Sequence, residues 1–134
     1  MSLPDSNVIV RAYLVSHADI IAFFAPDSPR IYSPRAPENA AIPNITIFVR
    51  GGTSTPYIPD IPSPSLQIDC WHNSSFDARK LYLIVYSALQ GIQNVTVGSN
   101  MILSAIEEVH GQDLVDTDIP GRFRVLSFWE IMIK

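Results

Sequence analysis

The sequence predicts an α+β domain: a mainly antiparallel β-sheet of about four strands, two helices packed on one face, and a long proline-rich arm between the first two strands. Two observations support this fold. The periodic segments follow one another in the order helix, two strands, helix, two strands. Nine of the eleven prolines lie between Pro26 and Pro64, where they disfavour regular structure, and four of them separate the first two strands.

Length and composition set the broad class of the protein. The chain has 134 residues, a usual size for one domain, so we treat residues 1–134 as a single domain. Its residues are 47% hydrophobic and only 16% charged, compared with about 25% charged residues in typical soluble domains. Disordered chains have the opposite composition, so the sequence predicts a folded protein with little polar surface.

The first predicted element is a helix over residues 6–24. Asp5 supplies N-terminal capping chemistry, apolar residues then recur at helical spacing, and Pro26 ends the run. We interpret His17, on the apolar stripe, as a core or interface residue rather than a metal ligand, because no second His or Cys stands at a helical spacing from it. The next segment, residues 26–43, holds five prolines and is predicted to be an extended connection.

Two strands are predicted over residues 45–50 and 66–72, because apolar and polar side chains alternate there. In the second strand Cys70 continues an apolar row. The opposite face of that strand carries Gln67, Asp69 and Trp71.

The connection between these strands, residues 53–64, is open to two interpretations. One is a flexible loop without a role. The other is a stiff arm that docks on a partner, which its four prolines favour because they reduce the conformational freedom of the segment. The docking residues of such an arm are Tyr57, Ile58, Asp60 and Ile61.

A second helix is predicted over residues 75–90. One apolar stripe of this helix is expected to pack on the sheet, and a second stripe lies beside it. Because the chain has no charged residue from Leu81 to Ile106, we expect a neighbouring copy of the chain to cover the second stripe. The predicted subunit interface consists of Tyr82, Tyr86, Leu89, Ile102 and Ile106.

The last two strands are predicted over residues 95–110 and 122–133. Five acids and no basic residue lie between Glu107 and Asp118, so this stretch accounts for the net charge of −4. A calcium-binding loop is one interpretation of it. A solvated acidic face fits better, because the stretch lacks the alternating oxygen ligands and the central glycine of an EF-hand loop.

The residues give little support to a catalytic or cofactor site. Cys70 and His72 share a strand face and could form a nucleophile and base, but a buried cysteine in the apolar row is the simpler interpretation. The three histidines are scattered, and the sequence has no glycine-rich phosphate loop. We therefore expect no enzymatic activity, no metal and no cofactor.

Membrane and nucleic-acid functions are also disfavoured. The apolar stretch from Leu81 to Leu89 is too short to span a bilayer. The start of the sequence lacks the basic region of a secretory signal, and the single cysteine excludes an internal disulfide. A pI near 5.1 without a basic stripe argues against nucleic acid as a direct ligand.

Four segments of the chain share their order and spacing with one known family. They are Arg30-Ile-Tyr-Ser-Pro-Arg-Ala-Pro through Ile42-Pro-Asn-Ile-Thr-Ile, Leu66-Gln-Ile-Asp-Cys-Trp, the helix from Phe76 to Gln90 with its motif Ala78-Arg79-Lys80-Leu81, and the ending Pro120-Gly-Arg-Phe-Arg-Val-Leu-Ser-Phe-Trp. In this combination the chain resembles the tail-completion, or tail-terminator, family of long-tailed phages and gene-transfer agents. The resemblance covers nearly the whole chain.

The resemblance implies a non-enzymatic structural protein of the virion, located in the tail or neck and in the host cytoplasm during assembly. Proteins of this family form a hexameric ring that ends the tail tube and joins it to the head-completion complex. The implied partners are other copies of the chain, the tail tube protein and a head-completion, stopper or connector protein, with DNA passing nearby without specific binding. In such a ring Asp113, Asp116 and Asp118 are expected in a loop at the lumen or rim, where they would repel DNA.

Two other functions remain open at this point. One is another phage adaptor, in the neck or baseplate, with the same fold. The other is a small intracellular hydrolase that uses Cys70 and His72.

Overall fold

The computed structural model describes residues 3–37, 40–54, 56–57, 61–115 and 121–134 of the chain. These residues form three helices and six strands. In chain order they are α1 (Ser6–Ser16), α2 (Ala18–Phe24), β1 (Ile31–Tyr32), β2 (Asn44–Thr53), β3 (Ser63–His72), α3 (Ser75–Leu89), β4 (Gln93–Val97), β5 (Asn100–Val115) and β6 (Phe123–Ile133).

The six strands form one mixed sheet in the order β1-β2-β3-β6-β5-β4. β1 pairs with β2 in parallel, and the other neighbouring strands are antiparallel. The sheet curls into a half-barrel. α1 contacts both β2 and β4, which lie far apart in the strand order, so the curl encloses the helices on the inner face. The other face of the sheet is the outer face.

The predicted fold of about four strands with two helices is therefore wrong in its element count and in the shape of the sheet. β1 was missed because two residues are too few to show an alternating pattern, and they lie inside the predicted connection 26–43. β4 was merged with β5 in the predicted strand 95–110. A turn at Gly98-Ser99 separates the two strands, and both flanks are uncharged and extended.

The predicted helix over residues 6–24 is also two helices, because the chain bends by 72° at His17. His17 has extended backbone angles, and it is both the C-cap of α1 and the N-cap of α2. Its N–H donates to the Leu14 carbonyl at the end of α1, and its side-chain Nδ1 accepts from the Asp19 N–H at the start of α2, 3.3 Å away. The apolar spacing continues through the bend, so periodicity alone does not reveal it.

Several boundaries differ from the predicted ones. The β2–β3 hairpin remains paired as far as Thr53 opposite Ser63, so its outer end takes up part of the predicted arm 53–64. β5 runs to Val115 through the acidic stretch, and two register shifts with β6 accommodate it. α3 ends at Leu89, one residue before the predicted end.

The core lies between the inner face of the sheet and the three helices. Leu81 and Val85 of α3 are fully buried against the sheet, and Trp129 of β6 is among the largest of the fully buried side chains. Such burial is the main stabilising contribution to the fold. The Tyr13 hydroxyl joins the helices by donating to the Ala88 carbonyl at 2.6 Å.

Within the described residues, no single helix has the length and apolar character needed to cross a membrane. The bent pair α1 and α2 meets these criteria jointly, on length and composition alone.

The outer end of the β2–β3 hairpin depends on Gly52, and this generates a test. Both Gly51 and Gly52 have positive φ angles (139° and 119°), so alanine at either position strains the backbone. A Cβ on Gly52 would also lie 2.5 Å from the Ser63 carbonyl oxygen, whereas no described neighbour lies within 4 Å of one on Gly51. We expect Gly51→Ala to lower the free energy of unfolding by about 1–3 kcal/mol and Gly52→Ala to lower it further. Urea denaturation of the two variants measures the difference, and equal losses would contradict the close approach of the strands.

Candidate functional site

The outer face of the sheet carries a pocket of about 610 Å³. Its floor is made by side chains of β2, β3 and β6 that point away from the helices, and the segment 34–37 forms one wall. We call it the Trp71 pocket. Its lining residues are Pro34, Arg35, Ala36, Pro37, Asn44, Thr46, Phe48, Gln67, Asp69, Trp71, Arg122 and Arg124.

Strand register places these side chains together. Asn44 is opposite Trp71 and Thr46 is opposite Asp69 across the β2–β3 pair. On the other side of β3, Arg124 is opposite Trp71. Because alternate residues of a strand share a face, the polar positions of the three strands converge on one patch.

The floor of the Trp71 pocket is polar and almost fully buried. Asn44 is 1% exposed and Asp69 is 3% exposed. The Asn44 amide nitrogen donates to the Ala41 carbonyl at 3.0 Å, which fixes the orientation of the amide. Its oxygen Oδ1 is one of two buried side-chain oxygens that have no hydrogen-bond partner among the described residues. Buried polar atoms are nearly always hydrogen-bonded, so this acceptor indicates a place for a donor from outside.

Asp69 is held by two donors on the floor. Gln67 Nε2 lies 3.2 Å from its Oδ2, and Arg124 Nη1 lies 3.5 Å from the same oxygen. Burial raises the pKa of the Asp69 carboxyl above its ordinary value, and the charge of Arg124 and the Gln67 hydrogen bond only partly oppose that shift.

The mouth of the pocket is cationic and aromatic. The guanidinium groups of Arg122 and Arg124 lie 5.9 and 5.2 Å from the centre of the Trp71 ring, and Arg35, which also lines the pocket, is exposed. Trp71 is itself anchored, since its indole N–H donates to Thr46 Oγ1 at 3.3 Å. This arrangement suits a ligand with a flat apolar group beside an acidic one.

The same face continues past the pocket toward the hairpin. The Arg50 guanidinium stacks 3.8 Å from the centre of the Phe128 ring, and its Nε donates to Ser65 Oγ at 3.0 Å. Ser65 in turn donates to Glu108 Oε1 at 2.6 Å. These contacts fix the surface between the pocket and the outer end of β2.

The predicted subunit interface is corrected at three of its five positions. Tyr82, Leu89 and Ile102 are fully buried inside this chain, because the curled sheet brings β5 and β6 around the second stripe of α3. Tyr86 is half-buried. Ile106 is 54% exposed and so remains a surface residue.

Tyr82 is instead the centre of a polar network between α3 and β5. Its hydroxyl donates to Glu107 Oε2 and accepts from the buried Gly111 N–H at 3.0 Å. His110 Nδ1 lies 2.9 Å from the Tyr82 hydroxyl and 2.7 Å from Glu107 Oε1. The Glu107 backbone N–H donates to Gln90 Oε1 at 2.8 Å. Burial, and then the bond to Glu107, raise the pKa of Tyr82 well above its ordinary value.

Of the acids that the structure describes, Glu108 and Asp113 are exposed, as predicted for a solvated acidic face, whereas Glu107 is not. The Glu107 side chain is buried in the Tyr82 network, and Glu108 accepts from Ser65. Asp113, predicted in a loop at the lumen or rim, lies in β5 and forms an ion pair with Arg79 at 2.8 Å. Asp116 and Asp118 lie outside the described residues. Although this stretch contains no Lys or Arg, its described acids pair with side chains of other elements, α3 and β3.

The predicted docking residues of the arm are only partly described. Tyr57 is exposed and Ile61 is half-buried, whereas Ile58 and Asp60 lie outside the described residues.

Cys70 is fully buried on the inner face, and burial raises the pKa of its thiol, so the reactive thiolate is disfavoured. The His72 ring packs edge-on against Phe23 with centroids 6.1 Å apart. In the described part of the chain, no group of three His, Cys, Asp or Glu side chains is placed to hold a metal ion.

Sequence reasoning missed the Trp71 pocket although part of its signal was present. Alternation on β3 already places Gln67, Asp69 and Trp71 on one face. Two other features of the pocket depend on contacts between distant parts of the chain. They are the pairing of β3 with β6, which adds the arginines, and the return of segment 34–37 over β2. Alternation within one strand does not predict either of them.

No protein-family model matches the sequence, and a search of curated proteins also gives no match.

The Tyr82 network generates a stability prediction. Tyr82→Phe removes the partner of a buried N–H and of a buried carboxylate, so we expect the free energy of unfolding to fall by about 1–3 kcal/mol. Tyr86→Phe is the matched control on the next turn of α3 and is expected to change it by less than about 0.5 kcal/mol. Urea denaturation of both variants measures this. Similar small losses in both would show that the network contributes little.

The same network generates a pH prediction. The pKa of Tyr82 is raised in the folded chain above the ordinary 10.0, so its contribution to stability is complete below that pH. Above it, the unfolded chain loses the phenolic proton more readily, and stability falls as pH rises. We expect the unfolding free energy to decline between about pH 9 and about pH 11, and less steeply in Tyr82→Phe. The residual slope comes partly from Tyr13, whose pKa is also raised by burial. An unchanged slope in the variant would contradict the assignment.

Proposed function

We propose that the protein is a structural component of a virion that assembles into a ring at the head–tail junction, ends the tail tube and joins it to the head-completion complex. The resemblance in motif order and spacing supports this role. Its partners would be further copies of the chain, the tail tube protein and a head-completion, stopper or connector protein. Its location would be the tail or neck, after assembly in the host cytoplasm.

One structural observation carries the self-assembly part of the proposal: apolar side chains remain exposed on the helix layer. Leu83 of α3 is 47% exposed and Phe76 is 74% exposed. Leu83 lines a groove of about 450 Å³ between α2 and α3, which we call the α2–α3 groove. The other groove residues are Asp19, Phe23, Lys80, Ile84 and Ser87.

The α2–α3 groove takes the place of the three buried positions of the predicted interface, whereas Tyr86 and Ile106 stay predictions. The sheet already covers the stripe with Tyr82 and Leu89, so the exposed apolar side of α3 is the one with Leu83. Exposed apolar surface lined by polar groups is typical of protein interaction sites, and Asp19 and Lys80 supply one charge of each sign here. A neighbouring copy can therefore meet both the apolar floor and the charged rim.

The proposed ring leaves a limited role for the acids near its lumen. Asp113 is neutralised by Arg79, which reduces its effect on passing DNA. Under this proposal, repulsion of DNA would come from Asp116 and Asp118.

The assembly proposal predicts a closed oligomer, with six copies as the expected number, in sedimentation velocity at micromolar concentrations. Leu83→Glu places a charge in the α2–α3 groove and is expected to shift the population to smaller species. Its free energy of unfolding should stay within about 0.5 kcal/mol, because Leu83 lies at the surface. Gln112→Glu, an exposed position on β5, adds the same charge and should leave the oligomer intact. A wild-type monomer throughout the concentration range would overturn the proposal.

The assignment to the head–tail junction has a separate test in the phage or agent that encodes the chain. Deleting the gene is expected to give overlong tails and unjoined heads. Normal joining together with a baseplate defect would identify an adaptor of another kind.

A further inference from the structure

We propose that the Trp71 pocket of one copy receives the proline-rich arm, residues 53–64, of a neighbouring copy. The inference rests on the proposed ring and names one of its contacts, which would be separate from the α2–α3 groove.

The first argument is the polar floor of the pocket. Asn44 Oδ1 is buried and without a described partner, and leaving such an acceptor unpaired costs about 1–3 kcal/mol. It needs a donor that can reach a pocket floor. A backbone N–H of the arm is such a donor, and the residues between the arm prolines, such as Asp60 and Ile61, each carry one.

The second argument is the shape and apolar character of the site. The pocket is lined by the aromatic rings of Trp71 and Phe48 and by the prolines Pro34 and Pro37. Grooves of this kind bind proline-rich segments, which lose little conformational entropy because their backbone is already restricted. The arm supplies Pro56, Pro59 and Pro62 together with an aromatic ring on Tyr57.

The third argument is charge. Three arginines line the pocket, and the one acid among its lining residues, Asp69, is already held by Arg124 and Gln67. The arm contains one acid, Asp60, and no basic residue. A carboxylate among guanidinium groups is a strong pairing, so the charges of arm and pocket are complementary.

The fourth argument shows why the arm must come from another copy. The arm leaves the sheet where Thr53 pairs with Ser63, whereas Asn44, at the far end of the same strand, pairs with Trp71. The nine residues from Thr53 to Asn44 span about 30 Å at about 3.3 Å per residue. The tip of a nine-residue connection reaches at most about 16 Å from its ends. An arm can therefore reach the near end of its own pocket, at Phe48, but falls short of Trp71 and Asn44. An arm that enters a neighbour makes a head-to-tail contact, and such contacts form a ring when the rotation between copies closes.

The test separates the pocket from the assembly. In an armless variant, Asn-Gly replaces residues 55–61 and closes the hairpin with a tight turn, so the pocket is free to bind a synthetic peptide of residues 53–64. Binding is followed by tryptophan fluorescence. Trp71 lies in the pocket, while the second tryptophan, Trp129, is fully buried in the core. We expect saturable binding with a dissociation constant on the order of 100 µM or tighter, since a ring repeats the contact in every copy.

Charge variants identify the site of binding. Arg122→Glu and Arg35→Glu, tested separately in the armless variant, are each expected to weaken peptide binding at least tenfold. A peptide carrying Asp60→Lys should restore binding to these two variants. Lys134→Glu makes the same charge change at an exposed position after β6, outside both the pocket and the α2–α3 groove, and should leave binding unchanged.

The outcomes of the two measurements are independent. If the peptide binds with this charge pattern while the wild-type chain is monomeric, the pocket assignment stands and the proposed ring is wrong. If the wild-type chain forms a ring but the peptide does not bind at 1 mM, the inference is overturned and the ring stands. Displacement of the peptide by a short single-stranded DNA of equal or higher affinity would also overturn it, because the pocket would then be a phosphate site.

Discussion

The curl of the sheet around α3 is the constraint on which the rest of the structure depends. A flat sheet covers one side of a helix, but α3 has apolar side chains on nearly every side. β5 and β6 turn around it, so that Leu81 and Val85 on one stripe and Tyr82 and Leu89 on the other are all buried in the same chain. α1 and α2 then fill the remaining inner space, and the bend at His17 lets one segment follow the curved surface as two short helices.

The same curl decides where the charges lie. Once β5 passes over α3, Glu107 meets the Tyr82 hydroxyl and Asp113 meets Arg79, which are 25 and 34 residues away in sequence. A carboxylate near a buried surface requires such partners, because an isolated charge there is costly. The acidic stretch therefore joins a helix to a strand, while the side chains of Glu108 and Asp113 stay exposed, as its composition indicates.

The division into an inner and an outer face gives the two surfaces on which the functional proposals depend. Helices cover the inner face and leave the α2–α3 groove exposed, with Leu83 as its apolar centre. On the outer face, polar side chains of three strands converge beneath segment 34–37 and form the Trp71 pocket. One surface is apolar with a charged rim and the other is polar with arginines at its mouth, so each can contact a different partner or a different part of a neighbouring copy.

The sequence by itself determined the features that depend on neighbouring residues. Alternation placed Cys70 on an apolar row and Gln67, Asp69 and Trp71 on the opposite face, and capping and periodicity located α3 to within one residue at its end. Tertiary structure decided the features that depend on distant pairing. These features are the bend at His17, the two-residue β1, the burial of Tyr82 and the meeting of Asn44, Asp69 and Arg124 in one pocket. Each of them requires elements that are remote in the chain. A local pattern predicts which face of a strand or helix a side chain lies on. The curl of the sheet, in contrast, depends on the helices that the sheet encloses, so it is determined only when all the elements pack together.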